Sequence, residues 1–252
     1  MRITVCEFPD EESDQETAWK DLVGHVHRNR TDVVVLPEMP FCAWQMFTAD
    51  TVDLAAWQRA LSAHDTMAGR FGELSPAIVL GSRPVSSDGK RLNQAFGWTR
   101  EGGYRGARSK YYLPDEPDGR ESTWFARGDP GFAPLSVGSW TFGFQICTEL
   151  LFTDASWRIG RAGAQVIAAP RATGGHPRWP LAARMAAILS GCFVASANRR
   201  SRDGEAFAGR SWVVSPEGEI LGETTADEPF LTVEVDLGDA DRAKRSYPRN
   251  LP

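Results

Sequence analysis

Long apolar runs are missing from this 252-residue chain. The N-terminus, MRITVCEFPDEESD, turns acidic at once without the apolar stretch of a leader, and the apolar runs elsewhere are strand-sized. No membrane contact is expected. Cysteine is sparse: Cys6, Cys42, Cys147 and Cys192 are widely spaced, with no CxxC and no Cys/His cluster. The usual zinc spacings are absent, and no metal or cofactor is expected. Four such thiols in a long chain read as reduced, which points to a cytoplasmic protein. An excess of positive charge is also missing. The net charge is −5, whereas tracking a phosphate backbone needs a basic face, so nucleic acid is not an expected partner. The Gly-rich stretches REGGYRG and RATGG lack P-loop or dinucleotide spacing and read as turns. No repeat, low-complexity tract or composition break marks a linker. Residues 1–252 are therefore expected to form a single domain.

What is present is α/β patterning. RITVCEF, 2–8, reads as a first strand. Ser13 and Glu16 make a capping-box pattern, and Trp19, Leu22 and Val26 follow at helical spacing to about Arg30. DVVVLPE, 32–38, is an apolar strand of the kind buried on both faces. A helix is expected over 50–71, with Leu54, Trp57, Leu61 and Met67 on one stripe, and a strand over 76–82. Residues 93–114 read as a hairpin turning at Glu101-Gly102-Gly103, and 114–131 as irregular chain. TFGFQI, 141–146, alternates like a strand; a helix over 154–163, the strand QVIAAP (165–170), the helix LAARMAAILSG and the strand CFVASAN follow. RSWVVSPEGEIL reads as a second hairpin and FLTVEVDL as a last strand before a basic tail. The order β-α-β-α-β, followed by hairpins mixed with helices, predicts an α/β fold with a central pair of sheets flanked by helices.

Three ionisable residues end apolar strands: Glu38, Lys110 and Cys147. A thiol attacks as thiolate, and a neighbouring base or cation produces it. A carboxylate beside it can take the thiol proton and return it to a leaving amine. A lysine in the same pocket can stabilise an oxyanion. The plain alternatives are a packed inert thiol, a solvated loop carboxylate and a lysine closing a surface hairpin. Among the four histidines, His25 and His27 lie on different helix faces, His64 is expected at the surface, and His176 alone could pair with Cys147 as a Cys/His dyad.

These segments, in this order, resemble the nitrilase superfamily of carbon–nitrogen hydrolases over nearly the whole chain. LPEMPF (36–41) is similar to the segment of the general-base Glu, SKYYLPDE (109–116) to that of the Lys, and FQICTELLF (144–152) to that of the nucleophile. Glu121, in E-x-x-x-F-x-x-G with Phe125 and Gly128, matches a second family Glu that positions and polarises. SGCFVASANR and GRSWVVSPEGEIL match further. The resemblance implies an α-β-β-α sandwich, paired across a subunit interface into a four-layer-type unit, hence a homodimer or higher homo-oligomer. It implies hydrolysis of a non-peptide C–N bond of a small-molecule substrate through a Cys147 thioester. Glu38 would be the base, Lys110 the oxyanion and thiolate stabiliser, and the Thr148 N–H would lie near the oxyanion.

The branch of the family is less determined. Thr148 stands where nitrilases often carry Trp, while Glu149 keeps the acid. Leu150 and Leu151 stand where carbamoylases often carry Arg. A linear-amide amidase is the expectation, with an N-carbamoyl amidohydrolase or a nitrilase on the same triad as alternatives. A catalytically silent binding or assembly member is the alternative of another class. Arg171, just past QVIAAP, is expected near the crevice mouth, meeting a polar or anionic part of the substrate or pairing with an acid such as Glu149. Trp124, Phe125, His176 and Trp179 could wall the pocket, and Thr148 and Glu149 could contact substrate.

Overall fold

The computed structural model describes residues 1–116 and 119–251. In chain order the first half contains β1 (Arg2–Pro9), α1 (Glu12–Asn29), β2 (Val33–Glu38), α2 (Leu54–Ala68), β3 (Ile78–Ser87), β4 (Lys90–Thr99) and β5 (Gly103–Ser109). Two short strands, β6 (Asp115–Glu116) and β7 (Gly119–Arg120), and a single turn of helix, α3 (Glu121–Trp124), connect the halves. The second half runs β8 (Leu135–Val137), β9 (Trp140–Phe144), α4 (Thr153–Arg161), β10 (Val166–Arg171), α5 (Arg178–Ser190) and β11 (Phe193–Arg200). It closes with β12 (Trp212–Val214), β13 (Ile220–Glu223), β14 (Phe230–Glu234) and α6 (Leu237–Ala243).

The two halves build sheets of the same plan. In one, β1, β2 and β3 are parallel, flanked by antiparallel β14 on one side and β4 and β5 on the other. In the other, β11, β10 and β9 are parallel, flanked by antiparallel β12 and β13 on one side and β8 on the other. The sheets join where the end of β1 pairs with the end of β11, at Glu7 with Asn198 and Phe8 with Arg199.

Period-two alternation explains the layering. Val33 and Val35 of β2, with Ile3, Val5 and Leu80, face Phe142, Phe144, Val166 and Ala195 of the second sheet. Val34 and Leu36 point the other way, to Trp19, Leu22 and Val26 of α1. Ile167, Ala169 and Val194 likewise meet Ala155 and Ile159 of α4 and Ala183, Ala186 and Ala187 of α5. The result is the expected α-β-β-α layering, with strands buried on both faces. Each fully buried Val or Leu contributes roughly 1.5–3 kcal/mol. The outer helix pair depends on Gly160, where a Cβ would lie 2.1 Å from the Ser190 carbonyl oxygen.

Several local expectations need correction. The Ser13–Glu16 box does not form: the N-cap of α1 is Glu11, Ser13 Oγ donates to Asp14, and Glu16 pairs with Arg70 and Lys20. With Glu11 at the N-cap, Ser13 already lies inside the first turn and is not placed to cap it. Helix α2 begins at Leu54, where Asp53 accepts the Ala55 and Ala56 N–H groups. Its buried stripe is Ala56, Trp57, Ala60 and His64, while Leu54 is exposed. His64 is therefore interior, not surface. Its Nδ1 donates to the Ala60 carbonyl, and its Nε2 accepts the Phe41 N–H, which fixes a neutral tautomer. β4 also pairs with β3 through a tight Asp88-Gly89 turn that the pattern did not show. The segment after Val235 is the helix α6, capped by Asp236.

Candidate active site

β2, the chain after β5, and the chain after β9 deliver Glu38, Lys110 and Cys147 to one buried place. Lys110 Nζ donates to Glu38 Oε1 at 2.8 Å and to Glu121 Oε1 at 2.7 Å. Glu38 Oε1 also accepts from Asn93 Nδ2 at 2.8 Å. Glu38, Lys110 and Glu121 are each at most 2% exposed. Cys147, 5% exposed, lies within electrostatic reach of all three.

Backbone contacts fix each member. The Lys110 N–H donates to the Asn93 carbonyl, and its own carbonyl accepts from the Gly128 N–H. Gly128 is required there, since a Cβ would lie 2.0 Å from the Ser109 carbonyl oxygen. The carbonyls of Glu38, Met39 and Cys42 accept from Arg199, whose guanidinium also pairs with Asp10 and is fully buried. Arg199 thus clamps the loop that follows the base. Cys147 has φ +53°, a left-handed conformation rare for a residue with a Cβ, and it opens a 3-10 turn, Cys147–Leu151. Such strain, roughly 1–3 kcal/mol, persists only where the surroundings over-determine it.

Glu149 supplies much of that constraint. Fully buried, it forms a two-point ion pair with Arg108 and accepts the Tyr111 N–H at 2.7 Å and the Ile146 N–H at 2.8 Å. Tyr111 follows Lys110 and Ile146 precedes Cys147, so one carboxylate ties the two segments together. Arg108 also lies over the Phe132 ring at 3.9 Å.

The charges set the protonation pattern. Burial opposes the Lys110 ammonium, but Glu121 and Glu38 outweigh it and hold the amine well above its usual range. Lys110 is therefore a permanent donor and not a base. Burial, with the charge on Glu38 adding to it and Lys110 pulling against it, raises Glu121 to about 7. Burial and the Glu38 charge push the Cys147 thiol up, with Lys110 opposing, so the resting group is a thiol.

Cys147 and Thr148 open onto a cavity of about 800 Å³ that Glu121, Trp44, Trp179 and Phe207 also line. Several proposed contacts lie elsewhere. Trp124 and Phe125 belong to an aromatic core with Phe47 and Trp57, and Trp124 Nε1 donates to the Ala49 carbonyl. His176 is exposed on its loop and bonds the Arg178 N–H, away from the cavity lining. Arg171 is 1% exposed, not at a mouth. It donates to Ser196, Thr173 and the Arg210 carbonyl and lies 3.8 Å over the Trp212 ring. Its partner is not Glu149, which Arg108 takes. The reason is that β11 and the chain entering β12 take its guanidinium, through Ser196, the Arg210 carbonyl and the Trp212 ring. The sequence reading missed Asn93, Arg108, Arg199, Trp44 and Phe207. Arg199 sat unremarked inside a matched string, and the others carried no motif signal.

Comparison with known proteins agrees with this architecture. A carbon–nitrogen hydrolase structure from Helicobacter pylori G27 superposes with a TM-score of 0.83 at 20% identity, covering 99% of this chain and 94% of that one. The N-carbamoylputrescine amidase of Oryza sativa subsp. japonica is 23% identical over 261 residues, 94% of this chain and 86% of its own length. The deaminated glutathione amidase of Mus musculus is 28% identical over 130 residues, so the match spans 50% of this chain and only 40% of that protein. The family model described as carbon-nitrogen hydrolase matches residues 8–245, and the chain belongs to that family.

Proposed function

We propose that the chain hydrolyses the C–N bond of a small linear amide through a thioester on Cys147. The observation that carries this reading is a thiol lining a cavity, within electrostatic reach of a buried Glu38–Lys110–Glu121 cluster. In the first step Sγ attacks the substrate carbonyl and Glu38 takes the thiol proton. The carbonyl electron pair moves to oxygen, facing the Lys110 ammonium and the Thr148 N–H. Collapse breaks the C–N bond, and Glu38 returns the proton to the departing ammonia or amine. Water then attacks the thioester while Glu38 takes its proton; the C–S bond breaks, Glu38 returns the proton to Sγ, and the acid leaves the free thiol behind. Glu121 keeps Lys110 charged and aimed.

Similarity along most of the chain to a protein named N-carbamoylputrescine amidase supports a carbamoyl group as a second acceptable amide. The test is release of ammonia or amine from a panel of linear amides and ureides. Wild type is expected to turn over at least one, and Cys147→Ala to turn over none while keeping the wild-type circular dichroism spectrum. Full activity in Cys147→Ala would falsify the proposal.

A further inference from the structure

The charge around the cavity points to the substrate class, an inference that rests on the amide-hydrolase reading above. Six carboxylates line the cavity, Asp10, Glu11, Glu116, Glu121, Asp203 and Glu205, against a single cation, Arg202. Arg199 takes Asp10 and Lys110 takes Glu121. Arg202 is turned to Asp14, outside the cavity, at 2.8 Å. Among the described residues Glu11, Glu116, Asp203 and Glu205 have no ion-pair partner. Two unpartnered oxygens within this set point to a donor-rich ligand. Glu121, 2% exposed on the cavity wall, has its Oε2 without a hydrogen-bond donor. The Glu11 Oε2, also buried, has no donor either. Trp179 also lines the cavity.

We infer that the substrate is a linear amide or ureide whose far end carries a protonated amine. The reacting carbonyl sits at Cys147, and the ammonium lies toward Glu11, Asp203 and Glu205. A cavity lined by one sign of charge, with low-dielectric walls, concentrates a cation and repels an anion. A substrate carboxylate would meet these carboxylates and an arginine already engaged by Asp14.

The test uses three amides of equal length ending in an ammonium, a methyl or a carboxylate group. kcat/KM is expected to rank ammonium first and carboxylate last, with roughly tenfold or more between the extremes. The difference should lie mainly in KM and shrink as salt rises. Asp203→Asn combined with Glu205→Gln, and separately Glu116→Gln, should each move the ammonium-to-carboxylate ratio toward one. Equal turnover of all three, or preference for the carboxylate, overturns the inference and leaves the hydrolase reading standing. If none is cleaved and Cys147 takes up no acyl group, the hydrolase reading falls and this inference with it.

Discussion

Replacing Glu149 with Gln tests how the site is held together. The carboxylate answers two Arg108 nitrogens and the N–H groups of Tyr111 and Ile146. An amide of the same shape keeps one acceptor oxygen. Its NH2 must then face a guanidinium or a backbone N–H, both of which are donors. Arg108, 6% exposed, is left without its counter-ion. Breaking one side of a buried pair costs about 3–5 kcal/mol, a large part of the ~5–15 kcal/mol that stabilises a typical domain. Urea titration reads the loss directly, at unchanged m if the denatured state is unaltered. Because Tyr111 and Ile146 adjoin Lys110 and Cys147, kcat should also fall, by up to ~10²-fold for a displacement near 1 Å. Arg108→Met completes a double-mutant cycle, and the coupling should be about 1–3 kcal/mol. If Glu149→Gln unfolds within about 1 kcal/mol of wild type, or the coupling is near zero, the staple is not what holds these segments.

Other perturbations have defined signs. Burial depresses His64 to about 3, and it is neutral in the fold. The unfolded chain binds this proton below about 6.5, so His64 lowers stability as pH falls from there toward 3, by about 2 kcal/mol at pH 5. His64→Gln should flatten that part of the stability–pH curve, and an unchanged curve would refute the assignment. Glu38→Gln removes a negative charge that raises the Cys147 thiol. Alkylation by an uncharged haloacetamide should therefore persist, while amide turnover drops by ~10²–10⁴ for lack of the base; parallel loss of both would contradict separate roles. Gly128→Ala would force a Cβ against the Ser109 carbonyl beside Lys110. It should cost about 1–3 kcal/mol in thermal or urea unfolding, and wild-type stability would show that the segment can shift freely.

Legibility in the sequence followed the physics of each feature. Buried strands such as VVVLPE announce themselves because both faces are apolar, so β2 and the layer order could be read directly. Glu38, Lys110 and Cys147 were legible because strand ends and motif order place them, and the fold brings them together with Glu121. Side-chain direction was not legible. Arg171 and Glu149 looked like substrate contacts from their positions in the chain, yet both are buried and held largely by partners far away in sequence. Arg108 lies 41 residues from Glu149, and no local pattern links them. His64 was misplaced because a helix stripe built from Ala56 and Ala60 is weakly hydrophobic, and Leu54 drew the reading to the wrong face.

The central claim is that Cys147 carries the acyl group. Wild-type protein is mixed with a turned-over amide, quenched in acid within the steady state, and weighed intact. A mass increase equal to the acyl fragment, mapped by peptide digestion to Cys147 and absent from Cys147→Ala, is the predicted result. Turnover with the adduct on another residue, or undiminished turnover by Cys147→Ala, would contradict the account.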